Sequence, residues 1–284
     1  MAERRRDHEG DHDQVGATAD VAVVGGGLAG LVGAVTAARA GASVVLVDAG
    51  RAGGRARATT VDPGVVFNAG PRALYLGGAA AAELTELGIG WRGAAPGTRR
   101  SRALAGGEIH TMPGTGGQLA RTGLLGLRSK VQIGWLLGTL GRRDPAEVTG
   151  RSVTQWIDGL GLRRDAADLL GAVVRLATYV DDPDRLDAGA ALAQVQLAIG
   201  DGVQYLDRGW QQLVDQWRDA AVDAGVQVHE HRSAGGLSAP DAAGQWRLEV
   251  GGATVAARAV ILASGTPAAA AGLSPVPLRL DGIA

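Results

Sequence analysis

The hydrophobic positions do not keep one period along the chain, and each change of period predicts a different kind of element. From Asp20 the order is strand, glycine turn, helix, strand: "DVAVVGGG", "LAGLVGAVTAARAG" and "ASVVLVD". Val21, Ala22, Val23 and Val24 make a short continuous apolar run, which suits a strand buried on both faces of a parallel sheet. Gly41 ends the helix, since a residue without Cβ enters a left-handed cap easily. Val44, Val45, Leu46 and Val47 form a second buried strand, so the segment predicts a βαβ unit with a right-handed crossover.

Residues 98–112, "TRRSRALAGGEIHTM", predict a hairpin turning at Gly106 and Gly107. From about Gly117 to Gly200 the pattern becomes helical, with helices expected at 128–142, 152–160, 162–179 and 185–198, punctuated by "RRDPAE" and "DDPDR". Another helix is expected at 208–224, stopped by Gly225. After it, "VQVHEH", "QWRLEV", "ATVAA" and "RAVILASG" read as short strands joined by turns. The pattern is therefore a helical insertion within an α/β frame, with no internal repeat.

Length and charge narrow the function classes. A chain of 284 residues allows one large or two ordinary domains. Lys+Arg 28 against Asp+Glu 29 gives a net charge of −1, so no nucleic-acid partner is expected. The lone lysine, Lys130, and the wealth of Ala and Gly reflect compositional bias and carry no functional weight. The absence of cysteine excludes disulfides, a thiolate nucleophile and Cys-ligated zinc; it fits a reducing compartment, so a cytoplasmic location is expected. The opening residues 1–19 are charged and lack the apolar core of a signal peptide, and a solvated tail is expected there. His8 and His12 in that tail stand four apart like metal ligands, but a disordered segment cannot preorganise them, and no metal is expected. No apolar run approaches the ~18 residues of a membrane span. A soluble or at most peripheral protein follows.

Candidate chemistry is concentrated at the first turn. Gly25, Gly27 and Gly30 give G-x-G-x-x-G between a strand and a helix. In that setting the first glycine permits the tight turn, the second lets the backbone approach a pyrophosphate, and the third lets helix pack close to strand. The helix N-terminus adds unpaired N–H groups and the positive end of its dipole. Asp48 closes the second strand 18 residues after Gly30, where a carboxylate accepts hydrogen bonds from adenosine ribose hydroxyls. A free 2′-hydroxyl suits FAD or NAD better than NADP. The bland alternative, a glycine turn that packs without a ligand, is weakened by that acid. A second glycine turn follows in "DAGRAGGRARATT", where Gly53 and Gly54 precede Arg55. Two backbone-exposing glycines and a guanidinium fit a second approach to a pyrophosphate. For Arg55 or Arg57 taken singly, a solvated surface arginine is the alternative.

The stretch "VAVVGGGLAGL…VVLVDAGRAGGRARATT" resembles the amino-terminal signature of the flavin amine oxidase and phytoene desaturase superfamily. "FNAGPRAL" at 67–74 is similar to the segment that runs under the flavin. "GVQYLDRGWQQLVDQWRDAAVDAGVQVHEH" at 202–231 and "RAVILASGTPAAAAGL" at 258–273 are similar to elements returning to the cofactor domain. The resemblance implies an α/β fold: a Rossmann-like FAD-binding domain, parallel sheet plus β-meander, from 20–75 and 201–273, with a mostly helical substrate domain at 76–200. It implies FAD as cofactor, with Gly25, Gly27 and Gly30 facing the pyrophosphate, Asp48 on the adenosine ribose, and Gly54 and Arg55 on the phosphate or ribityl side. It places Gly70, Pro71 and Arg72 near the isoalloxazine and the Val228 backbone at the adenine. Asp48 replaces the more usual glutamate with a shorter arm bearing the same acceptors.

Family members continue well past the "ILASG" strand, so the resemblance also implies an incomplete substrate domain and a truncated end at 274–284. The implied reaction is hydride transfer from a C–N or C–C unit to flavin, on a hydrophobic, isoprenoid-like substrate or an amine. No catalytic acid or base is assignable. A non-catalytic or binding-only member, such as the Rab GDP-dissociation inhibitors of the same superfamily, is the alternative. An NAD-dependent dehydrogenase is disfavoured by Gly53, Gly54 and Arg55.

Other residues carry less. His229 and His231 at period two could pair on a metal, but a solvent-facing strand edge is the favoured reading, with Val226 and Val228 as the apolar face. Ser264 in "ASG" lacks a nucleophile elbow. Tyr179 and Trp210 are candidates either for core or for a pocket. Residues 126–143 pair a Leu/Trp/Ile/Val surface with Arg128, Lys130, Arg142 and Arg143, which suits a substrate-domain helix with a basic rim or a peripheral membrane contact.

Overall fold

A computed structural model describes residues 18–97 and 101–278. The tail with His8 and His12, residues 98–100 of the expected hairpin and the last six residues lie outside it.

In chain order the elements begin with β1 (Thr18–Val24), α1 (Leu28–Arg39), β2 (Val44–Val47), β3 (Ala58–Asp62), β4 (Val65–Asn68), β5 (Leu74–Tyr75) and α2 (Ala79–Glu86). Then come β6 (Gly93–Ala94), β7 (Arg102–Ala105), β8 (Glu108–Thr111), α3 (Gly116–Arg121), α4 (Leu127–Leu140), α5 (Val153–Gly159), α6 (Arg164–Thr178) and α7 (Ala188–Ile199). The chain returns through β9 (Val203–Leu206), α8 (Gln211–Asp223), β10 (Gln227–His229), β11 (Ala234–Ser238), β12 (Trp246–Val250), β13 (Ala253–Leu262) and α9 (Pro267–Leu273). They fall into two compact units. Of the described residues, one takes those up to Arg72, Ile89–Arg92 and those from Leu206 onward; the other takes Ala73–Gly88 and those between Gly93 and Tyr205.

The first unit is a Rossmann-like α/β domain built on a six-stranded sheet in the order β10-β2-β1-β13-β12-β11. β10, β2, β1 and β13 run parallel, with Val21 opposite Val44 and Ala259; β12 and β11 continue antiparallel as a meander. The apolar runs of β1 and β2 are buried because both sheet faces are covered. On one face Ala22, Val24, Val45 and Val47 join Leu248, Val250, Val255 and Ala257 in a single cluster. Val23 and Leu46 point to the opposite face by strand alternation and are fully buried. α1 and α8 pack together, burying Leu31, Val35, Leu213 and Trp217.

Two differences from the sequence reading concern strands. Residues 253–262 form one ten-residue strand rather than two short ones. Neither Gly nor Pro interrupts it, so Ala253–Ala257 pairs with β12 while its later residues run parallel to β1. The strand β10 stops at His229, which is only 8% exposed; His231 lies beyond it with φ +56°. The expected solvent-facing histidine pair is therefore not formed, because the edge strand buries its last side chain and the chain then turns. Among the described residues no group of three or more His, Cys, Asp or Glu is placed to hold a metal ion.

The second unit is mostly helical. Its core joins Ile133, Leu136 and Leu140 of α4 to Trp156 of α5, Leu170 of α6 and Leu192 of α7. Side-chain hydrogen bonds, local at α5 and long-range at α4, fix two of the helix starts. Ser152 and Gln155 form a reciprocal capping box at α5. Asp165 accepts the Gly126 N–H at 2.9 Å and the Ser129 hydroxyl at 2.6 Å, pinning the start of α4. Tyr179 ends α6 in the left-handed conformation and is 53% exposed. Trp210, in the first unit, is a core residue at the start of α8. Among the described residues no helix is long and apolar enough to cross a membrane.

Asp187 caps α7 and ties it to a preceding loop, accepting the Ala190 N–H at 2.9 Å and the Gly150 N–H at 2.7 Å. Those two N–H groups hold its carboxyl below the usual aspartate range. Because the folded value is the lowered one, the contribution is complete above the usual range and is lost as pH falls through the folded value. Asp187→Ala should cost about 1 kcal/mol of stability at neutral pH, read from denaturant midpoints. The difference from wild type should shrink in acid; a variant that unfolds with wild type at neutral pH would contradict this role.

Candidate functional site: two facing glycine turns

The first turn leaves β1 at Gly25, whose φ of +102° is closed to residues with a Cβ. A Cβ there would also strike the Ala263 carbonyl at the end of β13. Gly30, one turn into α1, lies against the Gly25 carbonyl, again with no room for a methyl group. Both glycines are thus required by the protein's own packing. Gly27 differs. It caps α1 at φ −68°, ψ 175°, a conformation open to any residue, and a Cβ would find its nearest neighbour, Gly54 Cα, at 4.0 Å. Nothing in the chain requires glycine there, so the space beside it is a cradle that a side chain would fill.

The second turn closes against the first. The Gly53 N–H donates to the Gly26 carbonyl at 2.6 Å, and Gly27 and Gly53 form an isolated parallel bridge. Gly53 and Gly54 have φ of +121° and +50°; a Cβ on Gly54 would stand 3.1 Å from Gly27 Cα. The Arg57 Nε donates to the Gly54 carbonyl at 3.3 Å. Arg55 is exposed, and its guanidinium has no partner among the described residues.

Asp48 ties the first turn to the loop that follows β2. One carboxylate oxygen accepts the Gly26 N–H at 2.6 Å and the other the Gly50 N–H at 2.7 Å. The return segment after β10 clasps the same loop. Asp48 N–H donates to the His229 carbonyl at 3.0 Å, Arg232 N–H to the Asp48 carbonyl at 2.8 Å, and His231 N–H to the Gly50 carbonyl at 3.0 Å. Glu230 accepts the Ala52 N–H at 2.9 Å and is itself held by Arg218 at 3.0 Å. Glu230, Arg218 and Arg232 were not singled out from the sequence; Ala52 and Glu230 lie 178 positions apart, and no local spacing relates them.

These elements wall a cavity of about 1120 Å³. Small-molecule pockets run to about 300–1,000 Å³, so its size suits a dinucleotide. Its charged lining is Asp48, Arg55, Arg57 and Arg232. With both Asp48 oxygens engaged by backbone donors, the balance favours an anion. Leu28 and Ala29, in the first turn of α1, also line it, and their N–H groups have no partner within the helix.

Of the residues singled out in the sequence, Gly25, Gly27, Asp48, Gly54, Arg55, Gly70 and Pro71 come together on this cavity. Gly30 sits behind it as a packing residue. Gly70 approaches the Arg55 carbonyl, where a Cβ would come within 2.6 Å. Arg72 and Val228 do not line the cavity; Val228 pairs with Leu46 on the edge strand, and it is Arg232 and Ser233 of that segment that reach the wall. Ser264 also lines it, at the end of β13 opposite the first turn.

Residues 23–87 match the family described as the NAD(P)-binding Rossmann-like domain. No curated protein matches the chain significantly. Solved structures resemble it over most of its length. An oxidoreductase from Methanosarcina mazei superposes with a TM-score of 0.70 at 19% identity, over 92% of this chain and 62% of that one. A putrescine oxidase, from a redesign of its cofactor binding, gives 0.65 at 22% identity, over 87% of this chain and 58% of that one. A Rab GDI from Plasmodium falciparum gives 0.60 at 14% identity, over 91% and 67%. The fold is thus the one these proteins share, and the chain spans 62% and 58% of the length of the first two.

The three motif glycines should separate on substitution. Gly25→Ala and Gly30→Ala are each expected to cost more than about 2 kcal/mol, through forbidden backbone or direct collision. Gly27→Ala should cost less than about 1 kcal/mol, the scale of a changed helix cap, while abolishing dinucleotide binding. Thermal melts with and without nucleotide read both effects. Equal destabilisation by all three would mean that Gly27, too, serves packing alone.

Proposed function

We propose that the chain binds FAD and serves an oxidoreductase that removes hydride from a C–N or C–C unit of a hydrophobic, isoprenoid-like substrate or of an amine. The observation that carries the proposal is the second glycine turn facing the first across an open cradle, with Arg55 beside it. A single turn at a helix N-terminus serves any dinucleotide. Two facing turns with a free guanidinium present donors to a pyrophosphate from both sides, which supports FAD over a nicotinamide cofactor.

When bound, FAD supplies the hydride-accepting chemistry, and the chain supplies binding and orientation. The Leu28 and Ala29 N–H groups donate to phosphate oxygens at the positive end of α1. Arg55 offers paired donors to the same doubly charged group. Asp48 keeps acceptor capacity beyond the Gly26 and Gly50 N–H groups, since a carboxylate has about four acceptor sites, and so can hold ribose hydroxyls. Its negative charge opposes a 2′-phosphate. The hydrophobic-substrate half of the proposal rests on the apolar helical region of residues 117–200. No acid or base of the chain is assigned to the chemical step.

The likeness to a Rab GDI favours a second reading, a non-catalytic binding protein of the same fold. Loading the purified chain with FAD separates the two. The enzyme reading expects a yellow protein that releases FAD on denaturation. It expects Arg55→Ala to weaken FAD binding at least ten-fold, with little change in melting temperature, because Arg55 has no partner among the described residues to lose. A colourless chain that cannot be loaded, or one that prefers NAD or NADP, would overturn it.

A further inference from the structure

We propose that the outer face of α4 docks on an anionic lipid surface, lying in the plane of the headgroups. The helix is apolar on two opposite sides. Ser129, Ile133, Leu136 and Leu140 turn inward to the core of the helical unit. Leu127, Val131 and Trp135 recur at i, i+4 and i+8 on the other side and are 81%, 68% and 63% exposed. At 100° per residue this second stripe lies nearly opposite the first, so the core that buries one cannot bury the other. A contiguous exposed apolar stripe of this kind marks an interaction surface. This one has 14 residues, so its length fits an in-plane position and not a span.

Charge identifies the occupant. Residues 126–143 contain Arg128, Lys130, Arg142 and Arg143 and no Asp or Glu, in a chain whose overall net charge is −1. Arg128 is exposed beside the stripe, and Arg143 lies over the Trp135 ring at 5.3 Å from its centroid. Lys130 is turned to the Ala120 carbonyl. The acid bonded to this helix, Asp165, is engaged by Gly126 and Ser129 on the inward side. An interfacial Trp with an arginine stacked on it, between exposed aliphatic side chains and a basic rim, matches the headgroup layer of an anionic bilayer: apolar atoms below, phosphates alongside. A protein partner with an acidic rim, or a second copy of the chain, is the competing occupant.

The full chain should be tested by flotation with vesicles of phosphatidylcholine alone and of phosphatidylcholine and phosphatidylglycerol in equal parts. Binding to the mixed vesicles is expected, falling with salt, and at least ten-fold weaker on the neutral ones. Leu127→Ser/Val131→Ser/Trp135→Ser should lose it, with an unchanged melt, since all three side chains are exposed. Arg128→Glu/Arg142→Glu, which leaves the stripe intact, should weaken binding at least ten-fold, on a scale of about five-fold per basic residue near the surface. Brominated lipid should quench tryptophan emission in the wild type and not in Trp135→Phe. No binding to mixed vesicles, binding that survives the triple substitution, or a dimer that the triple substitution dissolves would each overturn the proposal.

Discussion

Two backbone turns in this protein come within hydrogen-bonding distance because neither carries a side chain where they meet. The Gly53 N–H reaches the Gly26 carbonyl at 2.6 Å, and a single methyl on Gly54 would crowd Gly27 Cα. The rest of the first unit sets up that contact. Parallel pairing of β1 with β2 and β13 brings Gly25 under the Ala263 carbonyl, so that the chain must leave the sheet through a conformation only glycine adopts readily. Gly30 then lets α1 settle on the turn. The cradle is a by-product of this close packing: with Gly25 and Gly30 consumed by the fold, Gly27 is left facing open space.

Asp48 links folding to binding at the same point. Its two oxygens satisfy N–H groups of the first turn, at Gly26, and of the loop after β2, at Gly50, so the acid that suits a ribose is also the clamp that fixes that loop. Glu230 repeats the device from the far end of the chain, holding Ala52 while Arg218 holds Glu230. The pair is partly exposed, at 42% and 18% for the arginine and glutamate side chains, and its worth lies more in positioning than in net stability. The cavity therefore cannot form from the amino-terminal βαβ unit alone. It requires the return segment at 227–232 and the end of β13.

Legibility in the sequence followed locality. The βαβ unit, the glycine spacing and the helices of the second unit were legible because their signals are periodic and short-range. The helix expected at 162–179 is observed at Arg164–Thr178, and that expected at 152–160 at Val153–Gly159. The hairpin of β3 and β4 and the clasp by Glu230 were not legible. The hairpin exposes most of its apolar side chains and gives no alternation to read, and the clasp joins residues 178 positions apart. Residues 253–262 are one strand because β13 lies between β12 and β1, antiparallel to the first over Ala253–Ala257 and parallel to the second from Ala256 onward, an arrangement that leaves no mark in composition. The burial of His229 has a related cause: an edge strand can bury its last side chain, and period alone does not say which face is covered.

If the two turns form one pyrophosphate cradle, their amides must sense a bound pyrophosphate together. Amide-resolved NMR of the nitrogen-15 labelled chain, titrated with ADP, tests it most directly. The largest shift changes are expected at the Leu28, Ala29 and Gly54 amides, together on one saturation curve, with β12 and the helical unit unmoved. Saturable changes confined to other residues, or none at these three amides, would contradict it.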